Sequence, residues 1–163
     1  MKVKQQPWFP WLSLVARLVL GGVMLVAGAL KVTDPETASQ AVRAYDLLPS
    51  ALVAPVGWGL PFLEIAIGLL LIVGFGVRAA AVAAGVFMVV FIAAVASAWA
   101  RGLAIDCGCF GGGGEVAPGD TKYLQEILRD LGLLLLAVWL WLRPVSKFAL
   151  ETDPHIQTGV TAS

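Results

Sequence analysis

Cys107 and Cys109 stand on either side of Gly108, and they are the chain's two cysteines. Thiolates attack disulfides, bind soft metals and carry electrons. Residues two apart can bring their Cα atoms to roughly 5.5–6 Å, inside the range that a disulfide accepts. Gly108 removes the side chain that would crowd so small a ring. A ring of this size is strained, and strained, exposed disulfides are labile and oxidising. It also closes too short a loop to restrain the unfolded chain by much. The spacing therefore points to thiol–disulfide exchange through a mixed disulfide, with a passive Cys107–Cys109 loop disulfide as the rival. Asp106 disfavours a thiolate at Cys107, whereas Arg101 favours one if the loop folds back, so the attacking cysteine stays open. Two thiolates fall short of a closed four-ligand set, and no metal site is expected. His155 sits in a polar tail after Pro154, with no catalytic company.

Arg17 and Glu64 are charges inside apolar stretches, where ionisable groups are costly and are paired or functional. They lie about 9 and 15 Å from the inner ends of their segments at 1.5 Å per residue. A long arginine could span that difference, so the expectation is an Arg17–Glu64 ion pair fixing helix register, with a proton or quinone site as the alternative. Lys122, Glu126 and Asp130 recur every four residues, and Arg129 is three from Glu126. That spacing reads as a solvated helix face with local ion pairs. The other reading has Arg129 and Asp130 capping the helices beneath the cysteine loop.

These groups must be held by very apolar elements. Of 163 residues, 59% are hydrophobic and 13% charged, and mean hydropathy is +0.86. A soluble domain carries roughly 25% charged residues. A water-soluble globule and a disordered chain are excluded on these grounds. Eleven basic residues balance eleven acidic ones, so there is no basic field for nucleic acid. A hydrocarbon core needs roughly 20 apolar helical residues to cross. Four stretches qualify: 11–30, 53–73, 79–99 and 123–142, the last amphipathic over its first two turns. Trp8, Trp11, Trp99, Trp139 and Trp141 fall at span ends, where indoles sit at headgroup level, while Trp58 fits a core. Lys2 and Lys4 precede a first span that Arg17 interrupts, and Lys31 closes it without a small-residue cleavage site, so it reads as retained rather than as a signal peptide.

Between the first two spans, Thr33 and Glu36 have capping-box spacing, and Asp34 before Pro35 is a second start signal. A short surface helix over 35–45 follows, with Ala38, Val42 and Tyr45 along one edge. Pro49, Pro55 and Pro61 with Gly57 and Gly59 predict either an irregular start to the second span, which would hint at a site, or a plain kinked helix. The run Gly111–Gly114 predicts a mobile arm outside any helix or strand. Flanking bases divide evenly between the two sides, so Lys2 and Lys4 decide the orientation. Both termini are then cytoplasmic, with a flexible tail over 148–163, and both long loops lie outside.

The ordered set Arg17–Lys31 (RLVLGGVMLVAGALK), Asp34-Pro35, Tyr45–Pro49 (YDLLP), Leu60–Glu64 (LPFLE), Cys107–Gly111 (CGCFG) and Arg129-Asp130 resembles the MauE family, within the broader DoxX-like group. It covers most of the chain between Arg17 and Leu142. The resemblance implies a four-helix integral membrane protein that helps mature extracytoplasmic proteins, as proposed for the disulfide-rich small subunit of methylamine dehydrogenase. It also implies a thioredoxin-like partner of the MauD type.

The expectation is therefore an all-α, four-helix transmembrane bundle, one domain over 1–163, in the inner (plasma) membrane. It would be a thiol–disulfide oxidoreductase with Cys107 and Cys109 at the outer face. Its partners would be membrane lipid, a thioredoxin-like protein and an exported client. Electrons would pass to that partner or, as the alternative acceptor, to a quinone. The rivals are a non-catalytic assembly subunit and a small-molecule transporter.

Overall fold

The computed structural model describes residues 8–108, 112–117 and 119–144. Cys109 and with it the Cys107–Cys109 pairing, Lys2, Lys4, His155 and the tail over 148–163 lie outside the described residues. The described chain is mostly helical, in the order α1 (Phe9–Val32), α2 (Pro35–Ala44), α3 (Ser50–Val73), α4 (Val77–Ala100), β1 (Ile105–Asp106), β2 (Gly114–Glu115) and α5 (Tyr123–Leu142). Helices α1, α3 and α4 are each long and apolar enough to cross a membrane. The expected stretches at 11–30, 53–73 and 79–99 fall inside them, and the stretch at 123–142 coincides with α5.

Helix α1 packs along α3 and α4 along α5, while α1 also meets α5 and α3 meets α4. Their shared core is Leu20, Met24, Leu71, Ala84, Leu133, Ala137 and Leu140 with their neighbours. Large apolar side chains also cover the outward faces, among them Val19, Phe62, Val90 and Leu135, the last 70% exposed. An apolar outside around an apolar inside is the pattern of a protein solvated by lipid. Trp58 belongs to that outside, 56% exposed, and not to the core expected for it.

The proline-rich start of the second span is continuous helix, so of the two readings it is the helical one and not the irregular backbone that forms. Pro55 and Pro61 both lie inside α3. Each removes one backbone donor, which apolar surroundings tolerate where neighbouring helices support the segment. The glycines there serve close packing instead: a Cβ on Gly57 would stand 2.7 Å from the Ser39 Cα of α2.

Helix α2 begins as the Asp34-Pro35 signal predicts. The Asp34 carboxylate accepts the Thr37 N–H at 3.1 Å and the Thr37 hydroxyl at 2.6 Å. Those bonds, the hydroxyl first, hold Asp34 below the usual carboxylate range. The Thr33–Glu36 capping box does not form, because the Thr33 hydroxyl donates to the Leu30 carbonyl at 2.7 Å and finishes α1 instead. Helix α2 lies against α3 and β2, burying Ala38 and Ala41.

The glycine run also departs from expectation. Gly114 is in β2, where Ile105 pairs with Glu115 and Asp106 with Gly114. At Gly113 (φ +110) an added Cβ would stand 2.6 Å from the Ala41 Cβ. Absent side chains let this backbone dock on α2 rather than stand off as an arm.

Candidate functional site

Cys107 is placed by two local devices and one hydroxyl. Helix α4 ends with the Leu103 N–H on the Ala98 carbonyl and the Gly102 N–H on the Trp99 carbonyl. Gly102 takes φ +69. This is the double closure that a left-handed glycine permits at a helix end. The chain then runs extended through β1. Period-two alternation turns Ile105 and Cys107 inward and Asp106 outward, and both inward residues are buried. The Tyr123 hydroxyl, at the first residue of α5, accepts the Ile105 N–H at 3.1 Å and donates to the Leu103 carbonyl. One phenol thus fastens the loop before the cysteine to the helix after it.

Around Cys107 lie Tyr45, Val95, Ala98, Ile105 and Tyr123, a second apolar cluster apart from the main core. The Tyr45 hydroxyl donates to the Cys107 carbonyl at 3.5 Å. Gly108 has φ +66, and a Cβ there would stand 2.7 Å from the Ala41 Cβ. Only glycine meets both demands at once. Arg101, a candidate neighbour for the thiol, bonds instead to the carbonyls of Ser97, Tyr45 and Asp46. It ties the end of α4 to the end of α2.

The group that meets the cysteine is Glu126. Its carboxylate faces the Cys107 side chain, and Glu126 is only 7% exposed. One ligand atom each from Asp106, Cys107 and Glu126 lies within 4.8 Å of the others. Three donors fall short of the closed tetrahedral set of a structural zinc site. What the arrangement can do chemically is hold a thiol against a carboxylate that can take or return its proton.

One turn further along α5, Asp130 is 3% exposed, with Arg129 Nε and a terminal nitrogen on its Oδ1 at 2.9 and 2.8 Å. The solvated face expected for Lys122, Glu126 and Asp130 is therefore not what forms. Tyr123, Glu126, Asp130, Leu133, Ala137 and Leu140 are the buried stripe of α5. Their spacing of three and four was legible: extending the apolar seam of Leu133, Ala137 and Leu140 backwards lands on the two acids. Asp130 lies one turn along α5 from Glu126 and lines a cavity with Glu64 and Arg129.

Glu64 does not meet Arg17. Its Oε1 is 2.5 Å from the Lys31 Nζ, and both residues are buried. The cause is the antiparallel register of α1 on α3. A Cβ on Gly28 would meet the Pro61 carbonyl at 2.7 Å and the Glu64 Cβ at 3.0 Å, while one on Gly21 would meet the Gly68 carbonyl at 2.9 Å. Lys31 lies one turn past Gly28. Arg17 lies eleven positions before it, about 16 Å along the axis. Lys31 also holds its ammonium 5.5 Å from the centre of the Phe91 ring. Arg17 is buried at 2% exposure, at a depth that Glu64 does not share.

Glu64, Arg129 and Asp130 line one cavity with Met24, Met88 and Phe91. Lys31, Tyr45, Phe91, Cys107 and Gly108 line a neighbouring one. Cys107 therefore heads a polar track, through Glu126, Asp130, Glu64 and Lys31, into otherwise apolar helices.

No curated protein and no solved structure matches the chain. The family model described as methylamine utilisation protein MauE matches residues 9–143. That span runs from the first residue of α1 to the residue after α5 and takes in the cysteine loop, the acids beneath it and the α1–α3 seam. A membrane protein with this helix order and this matched span belongs to the MauE family.

Proposed function

We propose that this protein is a thiol–disulfide redox protein of the inner membrane, acting through Cys107 and Cys109 in the maturation of exported proteins. One domain over 1–163 carries four spans, the fourth being α5. Its 20 residues extend about 30 Å, the thickness of the hydrocarbon core. Leu124, Leu128, Leu135 and Leu142 on its outward face are exposed and apolar, which suits lipid. Both termini are cytoplasmic and the cysteine loop is extracytoplasmic, where disulfides persist.

The observation that carries this reading is the contact between the Cys107 side chain and the Glu126 carboxylate. A thiol must lose its proton to attack a disulfide and regain it when it leaves one, and a buried carboxylate beside it can manage both. Cys107 is only 6% exposed, so a protein partner reaches it second. The first exchange falls to Cys109, and Cys107 resolves the mixed disulfide. In the oxidising direction the pair's disulfide takes two electrons from a client dithiol, leaving two thiols here and one disulfide in the client. A thioredoxin-like protein of the MauD type, or a quinone, then takes the two electrons.

The same burial also favours a second reading, an accessory subunit whose cysteines only hold the loop. Trapping separates the two. In cells, Cys107→Ser should accumulate a mixed disulfide between Cys109 and a partner, visible as a thiol-sensitive adduct, and Cys109→Ser should accumulate far less. If neither variant forms an adduct and client oxidation is unchanged in both, the exchange reading is wrong and the accessory reading stands.

A further inference from the structure

Three carboxylates occupy the interior below Cys107: Glu126 and Asp130, one turn apart on α5, and Glu64 on α3. They are 7%, 3% and 3% exposed. Each uses one oxygen. Glu64 takes the Lys31 ammonium and Asp130 the Arg129 guanidinium, and Glu126 turns one oxygen to the Cys107 side chain. Each has a second oxygen, Glu64 Oε2, Asp130 Oδ2 and Glu126 Oε2, buried without a hydrogen-bond partner. A buried acceptor left unpaired is expensive, and a buried charge without a counter-charge far more so.

The charges facing this row can be named element by element. Helix α1 contributes Lys31, whose charge also reaches Asp130. Helix α5 contributes Arg129. Helix α4 contributes Met88 and Phe91 to the cavity walls, and α2 contributes Ala38, Ala41 and Val42 with Tyr45 just after it, none of them charged. Asp106, at the rim, is partly exposed and accepts the Gly108 N–H. Among the described residues, the region below Cys107 thus sets three acids against two bases, Lys31 and Arg129; the buried Arg17 lies at another depth on α1. Three ionised carboxylates would leave one negative charge uncompensated among apolar helices.

We infer that Glu64, Asp130 and Glu126 hold one exchangeable proton among them, and that this proton serves the Cys107 thiol. An acid O–H supplies the donor that one orphan oxygen lacks. Glu64 and Asp130 line one and the same cavity, of about 30 Å³. Glu126 and Asp130 are neighbours at the spacing of one helical turn.

The use of the proton rests on the exchange reading; its presence does not. When a partner's thiolate attacks Cys109 Sγ of the Cys107–Cys109 disulfide, a new S–S bond forms between Cys109 and the partner and the Cys109–Cys107 bond breaks. The electron pair stays on Cys107 Sγ, and the Glu126 O–H proton moves to that sulfur, leaving a carboxylate. In the opposite direction the Cys107 thiol gives its proton to the Glu126 carboxylate and then attacks. Asp130 and Glu64 refill or drain Glu126 from inside, without bulk water having to reach the cysteine.

The test is infrared spectroscopy of the full-length, reduced protein in lipid nanodiscs at neutral pH, in H2O and in D2O. The wild type should show a carboxylic-acid C=O band that shifts on deuteration. Glu64→Gln, Asp130→Asn and Glu126→Gln should each lose it, because two acids then match two bases. Asp34→Asn, at an exposed cap, should keep it. So should the Cys107→Ser/Cys109→Ser double variant, which shows that the proton is there whether or not thiols exchange. Absence of the band in folded wild-type protein overturns the inference, whatever the variants do. Persistence in all three amide variants overturns it as well. The link to the thiol is read in Cys109→Ser protein, from the pH midpoint of Cys107 alkylation. Glu126→Gln should move that midpoint and Asp34→Asn should not; an unmoved midpoint detaches the proton from the cysteine.

Discussion

The α1–α3 seam and the α4–α5 seam are both helix pairs in lipid-like surroundings, yet they are built differently. In the first, backbones touch. A Cβ on Gly21, Gly28 or Gly68 would fall 2.7–2.9 Å from a facing carbonyl oxygen. In the second, a Cβ on Gly85 would meet Ala137 and Leu134 side-chain atoms at 3.7 Å, ordinary contact distance. An apolar groove of about 320 Å³ runs beside that seam, lined by Gly85, Val86, Leu134 and Val138 among others. Where water does not drive helices together, close backbone approach supplies the packing attraction. The tight seam is also the one that buries a complete ion pair, Lys31 with Glu64. The looser seam supplies Glu126 and Asp130, the acids nearest the cysteine. One pair of helices fixes the register, and the other presents the reactive row to it.

The comparison can be broken hardest at Lys31. Lys31→Met leaves Glu64 buried without its cation, and breaking a buried pair costs roughly 3–5 kcal/mol. Unfolding in detergent should show that loss, and adding Glu64→Gln should recover most of it. If Lys31→Met is silent while Arg17→Met is rescued by Glu64→Gln, the register described for α1 on α3 is wrong. Next is Gly28→Ala. Its methyl would press on the Pro61 carbonyl, and overpacking of this kind costs about 1–3 kcal/mol; melting temperature reads it directly.

A smaller effect belongs to the α2 cap. Thr37 holds Asp34 below its usual range, so the cap's contribution is complete above about pH 4 and is lost as the pH falls through the folded-state value. Thermal scans of wild type and Asp34→Asn should therefore differ at neutral pH and converge in acid. The smallest change is at Gly85. Gly85→Ala should leave the melting temperature unchanged or raise it slightly, since the methyl meets open or ordinary contacts and alanine favours helix. A loss as large as that of Gly28→Ala would erase the distinction between the seams.

Much of this was legible in the chain. Apolar runs of about 20 residues are long enough to span only as helices, and α1, α3 and α4 follow from them. Asp34 before Pro35 announced α2, because a carboxylate cap followed by proline suits a helix start. The buried stripe of α5 was present as spacing, though its acids read as a wet face while their polarity was weighed above their position. The prolines of α3 left two readings open for a related reason: proline removes a donor wherever it sits, but whether the helix breaks depends on its neighbours. The partner of Glu64 was not legible at all. Arg17 and Lys31 are both cations on α1, and only the Gly28 contact chooses between them.

The sequence by itself determined local matters: which segments are apolar helices, where α2 starts, that two thiols flank a glycine, and that acids recur along one face of α5. Each depends on residues within a turn or two of one another. The tertiary structure alone decided that Lys31 answers Glu64, that Glu126 lies against Cys107, and that three acids meet Lys31 and Arg129 below the cysteine. Those facts join residues 19 to 99 positions apart. They depend on helix register and on how closely backbones approach, and a linear pattern encodes neither.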